Sequence, residues 1–203
     1  MGTPLVKALM KEVGPRNVIA TDISKKKVNF ECDYHELDVT DFNSYKQIVK
    51  EEQVDYIIHL AAILSALGEK VPDTAINVNV QGSLNAMNIA KEFNCQLFIP
   101  STIAVFGGDN FDKKNTPLHC ALEPTTVYGV TKVYNELLGT YYFNKYGILN
   151  TLSSTLPIGV DFRSIRYPGI ISSEKYDFNG TTDYSTGKKL LCSSRIVFLI
   201  SYL

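Results

Sequence analysis

Tyr128 and Lys132 are the residues whose types and spacing point most directly to chemistry. The segment that contains them reads as a helix, where residues four apart share a face, so the phenol and the ammonium would project side by side. A phenol is a poor base at neutral pH because its ordinary pKa is about 10. A neighbouring cation stabilises the phenolate and lowers that pKa, which makes tyrosine a usable general acid or base. The pair alone is a weak signal, since tyrosine and lysine are both common on protein surfaces.

Ser101 and Thr102 supply hydroxyl groups at the end of a predicted apolar strand, 96–100. Ligands of an open parallel sheet bind at the carboxyl ends of its strands. A hydroxyl at that position can hold a substrate oxygen in line with Tyr128. The alternative is that these hydroxyls satisfy nearby backbone groups. Taken with Tyr128 and Lys132, they form an arrangement suited to removing a proton from an alcohol.

Helices and strands alternate along the chain and must position these residues. The pattern predicts helices at 5–13, 77–93 and 127–145, and a helix that is capped by Thr40 or Asp41 and ends near Glu52. It predicts strands at 17–22, 34–37, 96–100 and 162–166, and at 54–62 a strand that turns into a loop of small residues. This alternation is typical of right-handed βαβ units. We therefore expect an α/β fold with a doubly wound parallel sheet.

Composition and charge exclude several classes of function. The 203 residues carry 20 basic and 21 acidic side chains, with no basic stripe, which argues against binding to nucleic acid or to an anionic membrane. An apolar window of about 18 residues, as a membrane-spanning helix requires, does not occur. The four cysteines and three histidines lack the spacing of a zinc site, so we expect no metal. An intracellular, reducing compartment follows from the cysteine pattern.

Six stretches of the sequence resemble the extended short-chain dehydrogenase/reductase superfamily, which has a Rossmann-type sheet. They are 60–69, 77–82, 100–107, 128–132, 166–172 and 180–184. Within that superfamily the sequence is most similar to the L-threonine 3-dehydrogenases. Leu-Ser-Ala-x-Gly-Glu at 64–69, Pro-Gly-Ile-Ile-Ser at 168–172 and Gly-Thr-Thr-Asp-Tyr at 180–184 point to threonine rather than to a nucleotide sugar.

The resemblance implies an oxidoreductase that transfers a hydride from the C3 carbinol of L-threonine to NAD and gives 2-amino-3-oxobutanoate. Tyr128 would be the catalytic acid/base, and Thr102 would take the place of the catalytic Ser/Thr. Lys132 would hydrogen-bond the nicotinamide ribose and lower the pKa of Tyr128. The implied substrate-binding residues are Ser65, Ser101, Thr181 and Thr182.

Asp22, at the end of the second strand of the family's sheet, matches the acid that accepts both hydroxyls of the adenosine ribose. A carboxylate there would repel the extra phosphate of NADP, so NAD is favoured. The alternative is a turn-forming residue before Ser24. The other implied cofactor contacts are Gly2, Ile23, Asp38, Val39, Leu60, Ala61, Ala62, Tyr167, Pro168, Gly169 and Ile170. His59, inside an apolar strand, is interpreted as a packed core residue.

The sequence departs from the family pattern at three places. Of the glycine-rich turn only Gly2 is matched, and the family's first strand is missing. Residues 148–159 form an insertion, and the apolar tail 185–203 has no likeness to the family's substrate domain, most of which is absent. We therefore expect an incomplete NAD-binding domain with the start of a substrate region over 1–184, followed by an unrelated tail. A wrongly assembled or alternatively spliced gene model is one hypothesis for these departures.

Two alternatives to a threonine dehydrogenase stay open. A nucleotide-sugar epimerase or dehydratase shares the Thr102, Tyr128 and Lys132 arrangement, and a catalytically inactive, truncated remnant would do no chemistry. The resemblance also implies a homodimer formed through the helices 77–93 and 127–145. It implies mitochondria in a eukaryote and the cytoplasm otherwise, with no targeting segment in this chain.

Overall fold

The computed structural model describes residues 2–25, 30–107, 116–117, 119–147 and 160–170, in which helices alternate with short strands. The helices are α1 (Gly2–Val13), α2 (Phe42–Glu51), α3 (Ser65–Gly68), α4 (Pro72–Ile76), α5 (Gly82–Phe93) and α6 (Val127–Tyr146). The strands are β1 (Ile19–Asp22), β2 (Asp33–Glu36), β3 (Tyr56–Ile58), β4 (Gln96–Phe98), β5 (Ser101–Thr102), β6 (Asp161–Arg163) and β7 (Arg166–Tyr167). All described strand pairs are parallel, so the predicted α/β fold with a parallel sheet is confirmed.

The strands form one pair and one larger group. β1 pairs with β2, and β4 lies between β3 and β6. The ladder of β4 and β6 runs on into β5 and β7, because Ile99 N donates to Arg163 O at 3.1 Å and Ser101 N donates to Ile165 O at 2.9 Å. Among the described residues, β1 shares no ladder with β3, so the β1–β2 sheet is separate from the sheet that contains β3.

The buried apolar side chains form two cores. The larger core surrounds β3 and β4, and its completely buried side chains include Met87, Ile89 and Leu97. The smaller core packs α1 against β1, through helix positions Leu5, Val6 and Leu9. Because these three positions recur at helical spacing, one face of α1 is buried, as the sequence pattern predicts.

Polar residues cap the helices α2 and α6. Asp41 caps α2, because its carboxylate accepts from the backbone N–H groups of Asn43 and Ser44. Thr126 caps α6, and its hydroxyl oxygen accepts from Gly129 N at 3.0 Å. Glu69 adds a second cap, since its Oε1 accepts from Val127 N at 2.8 Å. The start of α6, where Tyr128 lies, is therefore held from two sides.

The helix predicted at 77–93 differs from the helix in the structure. Helical backbone begins earlier, at Pro72, which suits a first turn because its missing N–H would have no partner there. Residues Asn77–Gln81 form a π-helical segment between α4 and α5. The strand predicted at 96–100 ends at Phe98, and β5 follows beyond the predicted range. The strand predicted at 162–166 is divided between β6 and β7. A helix with the length and apolar character needed to cross a membrane is not found in the described part of the chain.

Candidate active site

Most of the predicted site residues lie at the carboxyl ends of strands. Asp22 ends β1, Asp38 and Val39 follow β2, and Leu60, Ala61 and Ala62 follow β3. Ser101 and Thr102 form β5 and pair with Arg166 and Tyr167 of β7, after which come Pro168, Gly169 and Ile170. Because the paired strands are parallel, their carboxyl ends meet at one edge, where ligands of such sheets bind.

Tyr128 and Lys132 lie on one face of the first turns of α6, as their spacing predicts. The Lys132 ammonium is 5.5 Å from the centroid of the Tyr128 ring. Lys132 is 3% exposed, and no acceptor for Nζ is found among the described residues. Burial without an anion disfavours the charged form and lowers the pKa of Lys132 to about 8.

The pKa of Tyr128 differs from the sequence-based expectation. Burial raises it to about 12. Loss of water around the phenol is the cause of this upward shift, and the expected lowering of the pKa by Lys132 stays a prediction. The Lys132 ammonium lies over the face of the ring rather than beside the phenol oxygen. Tyr128 is therefore protonated at neutral pH.

Gly129 brings the start of α6 close to the turn that follows Thr102. A Cβ atom at Gly129 would lie 2.6 Å from the carbonyl oxygen of Ala104 and 2.7 Å from Pro124 Cβ. Thr102 begins that turn, and its Oγ1 accepts from Ala104 N at 3.1 Å. The Thr102 hydroxyl hydrogen donates to no described residue. The structure thus brings the Thr102 turn against the helix of Tyr128 and leaves that hydroxyl able to donate.

Ser101 uses its hydroxyl to form a hydrogen bond with a residue farther along α6. Its buried hydroxyl donates to Glu136 Oε1, two turns beyond Tyr128 on α6. Arg166 closes on the same carboxylate, with Nε 2.8 Å from Oε1 and Nη2 2.7 Å from Oε2. Sequence reasoning missed Glu136 and Arg166, although Glu136 follows Lys132 by four residues and so shares its helix face. The role of Ser101 as a substrate ligand stays a prediction.

Two acids on the cofactor side organise turns with their side chains. Asp22 is buried, and its Oδ1 accepts from Ser24 N at 2.7 Å. Asp38 Oδ1 accepts from Thr40 N at 2.9 Å and from Thr40 Oγ1 at 2.7 Å. The bond from Ser24 N to Asp22 is the turn-forming interaction considered above. Asp22 also lies at the end of β1, the position of a ribose-binding acid in the family. Both interpretations of Asp22 remain open.

The remaining predicted residues have varied settings. Gly2 is buried in the first turn of α1, and Ser65 begins α3. Ile23 and Ile170 are exposed. Thr181, Thr182 and the stretches 148–159 and 185–203 lie outside the described residues. His59 is buried and stacks on Tyr45, and burial lowers its pKa to about 3, so the interpretation as a core residue is confirmed.

The model of the NAD dependent epimerase/dehydratase family matches residues 1–181. The chain belongs to this family. An uncharacterized epimerase/dehydratase of Staphylococcus aureus (strain USA300) is 40% identical over 188 residues, which are 91% of this chain and 54% of that protein.

Solved structures of threonine dehydrogenases are similar to this chain. L-threonine dehydrogenase from Clostridium difficile is 42% identical with a TM-score of 0.81, over 91% of this chain and 55% of that one. A monomeric L-threonine 3-dehydrogenase from a metagenome, in its apo form, is 42% identical with a TM-score of 0.79, over 90% of this chain and 55% of that one. The chain thus spans about half the length of the relatives that it matches.

The described residues fit the NAD-type cofactor that the family uses. The Lys132 ammonium is buried and has no described acceptor, so a sugar hydroxyl would satisfy it. The loop after β3 carries the small side chains of Ala61 and Ala62, which let a ligand approach the backbone closely. Asp22 places a carboxylate at the end of β1, where a ribose would lie.

Proposed function

We propose that this chain carries the catalytic residues of an NAD-dependent L-threonine 3-dehydrogenase. The reaction oxidises the C3 hydroxyl of L-threonine and gives 2-amino-3-oxobutanoate. The observation that supports it most is the 42% identity to two threonine dehydrogenases over about nine-tenths of the chain. The pair of Tyr128 and the buried Lys132, beside the Thr102 turn, lies within that similar region.

Each of the three proposed catalytic residues has a distinct task. Thr102 donates its hydroxyl hydrogen to the C3 oxygen of the substrate and fixes its direction. Tyr128 takes the proton from that oxygen as the C3–H bond breaks and the carbonyl forms. Lys132 holds ribose hydroxyls and stabilises the negative charge on the phenolate oxygen. NAD, when bound, accepts the hydride, so the products are the ketone, NADH and one proton.

The other predicted site residues hold the two ligands in this proposal. On the cofactor side they are Gly2, Asp22, Ile23, Asp38, Val39, Leu60, Ala61, Ala62 and the segment 167–170. On the substrate side they are Ser65, Ser101, Thr181 and Thr182.

A direct assay compares L-threonine with UDP-glucose as substrates of the full 203-residue chain. In the presence of NAD, we expect NADH to accumulate with threonine and not with UDP-glucose. The rate should rise with pH, because burial keeps Tyr128 protonated at neutral pH. Epimerisation of the UDP-sugar without NADH release would instead support an epimerase, the second candidate that the family allows.

The inactive-remnant alternative needs a binding measurement. Calorimetric titration with NAD should give saturable binding if the strand ends described above form a cofactor site. An absence of heat up to millimolar NAD, together with no turnover, would support the remnant.

We also propose that a second copy of the chain covers an exposed apolar face. Val130, Leu137 and Tyr141 are exposed at helical spacing along α6, and Ile76 is exposed on α4. Large apolar side chains that line one helix face mark an interaction surface. The resemblance implies a homodimer through the helices 77–93 and 127–145, and this face lies on the second of them.

A further inference from the structure

The loops that carry the proposed cofactor contacts belong to two sheets that share no ladder within the described residues. Asp38 and Val39 follow β2 of the first sheet, and Leu60–Ala62 follow β3 of the second. Side chains from one run of helix bond to both loops.

Asn79 holds the loop after β3. Its Oδ1 accepts from Ile63 N at 2.7 Å, and its Nδ2 donates to Ile63 O at 3.0 Å. The same Nδ2 reaches Thr131 Oγ1 at 3.1 Å, one residue before Lys132 on α6. Asn79 is 1% exposed and lies within the π-helical segment Asn77–Gln81. Such segments are often found at functional sites.

Asn85 holds the loop after β2 from the same run of helix. Its Nδ2 donates to Val39 O at 2.9 Å and to Thr40 O at 3.1 Å. Between the two asparagines, Gly82 lets the helix approach this loop, because a Cβ there would lie 2.7 Å from Val39 Cγ2. Both amides are buried, so water cannot replace these bonds without opening the structure.

We propose that Asn79 and Asn85 are positioning residues that fix the separation of the two cofactor loops. The helix that carries them acts as a spacer between the sheets, and each amide clamps one loop at the edge where the ligand lies. The inference rests on the proposed function for its ligand, NAD, whereas the clamps themselves rest on the geometry alone. Neither asparagine touches the reacting atoms.

Hydrogen exchange of the full chain tests the clamps without any ligand. In the wild type, Ile63 N–H should exchange slowly, although it lies outside every described helix and strand. Asn79→Ala should accelerate exchange at Ile63 by about tenfold or more, as expected for a lost buried hydrogen bond, and leave 37–41 unchanged. Asn85→Ala should accelerate exchange at 37–41 and leave 61–64 unchanged. Each variant is the control for the other.

Ligand titration then separates a positioning role from general destabilisation. Asn85→Ala should weaken the binding of AMP and of NAD by similar factors, about tenfold, because both ligands use the loop after β2. Asn79→Ala should weaken the binding of NAD by a similar factor and leave the affinity for AMP unchanged.

Three results would overturn the inference. They are fast exchange at Ile63 in the wild type, acceleration of both loops by either variant, and equal effects of the two variants on AMP. If Asn79→Ala does not fold, the exchange rate of Ile63 N–H in the wild type still tests the inference. If the wild type binds neither nucleotide, the proposed function fails on the cofactor, while the exchange pattern still decides whether the clamps exist.

Discussion

Lys132 shows how the proposed chemistry opposes stability at a single residue. Its ammonium is buried with no described acceptor, and burial lowers its pKa to about 8 from an ordinary 10.5. Between these two pH values the unfolded chain binds more protons than the folded chain, so folding stability rises with pH in that window. A site that needs a cation beside Tyr128 therefore destabilises the free protein at neutral pH.

Lys132→Met should raise the stability of the chain at pH 7, because it removes the buried charge. At 1.36 kcal/mol per pKa unit, the gain is about 3 kcal/mol, and it should shrink as the pH rises from 8 toward 10.5. Urea unfolding of both proteins at pH 7 and pH 10 measures the difference between their free energies of unfolding. A difference that does not change with pH would contradict a buried ammonium without an acceptor.

Glu136→Gln should destabilise the protein strongly. The side chains of Glu136 and Arg166 are only 15% and 19% exposed, so loss of the carboxylate removes a charge that is paired away from most of the solvent. The expected loss is about 3 kcal/mol.

The surface pair of Arg163 and Asp161 is the matched control for Glu136. The Arg163 side chain is 65% exposed, so Arg163→Gln should leave the free energy of unfolding nearly unchanged. The denaturant midpoints of Glu136→Gln and Arg163→Gln give the comparison. Equal losses of stability would show that the Glu136–Arg166 pair contributes no more than an exposed ion pair.

The sequence predicted the Tyr128–Lys132 arrangement because helix periodicity fixes which residues share a face. It did not predict the direction of the Tyr128 pKa shift, which depends on how deeply the phenol is buried. Nor did it predict the Asn79 and Asn85 contacts, since these bonds join residues far apart in the chain.

At the scale of elements, strongly periodic segments were predicted well. The helix at 127–145 matches α6, and the strand at 34–37 matches β2 within one residue. The start at Pro72 was missed, because the apolar pattern there is weak and the π-helical segment changes the helical spacing. The end of β4 at Phe98 and the separate strand β5 depend on pairing with β6 and β7, which local sequence does not specify.

Gly139→Ala should disrupt the packing of α6 on β6. A Cβ atom at Gly139 would overlap the ring of Phe162, so the expected loss of stability is about 1–3 kcal/mol.

Gly68→Ala is the control for Gly139, because a Cβ at that position meets only Ala75 Cβ at 3.6 Å, an ordinary contact. Alanine favours a helix over glycine, so this variant should be neutral or stabilised by up to about 1 kcal/mol. Thermal unfolding of the two variants tests the packing, and similar melting temperatures would contradict it.

At the scale of the whole molecule, Leu137→Glu should convert a dimer into a monomer. Leu137 is 65% exposed at the middle of the apolar face of α6, where a carboxylate would be buried against the second copy. Light scattering after size exclusion measures the mass. Val13→Glu, at an exposed position on α1 away from that face, should leave the mass unchanged. A monomeric wild type would contradict the proposed homodimer.

The central claim is that Tyr128 moves the proton when threonine is oxidised with NAD. The most direct measurement is the rate of NADH formation from L-threonine by the 203-residue chain and by its Tyr128→Phe variant, at equal NAD occupancy. Removal of a general base predicts a fall in kcat by a factor of roughly 10² to 10⁴, with little change in NAD affinity. Equal turnover by the two proteins would contradict the account.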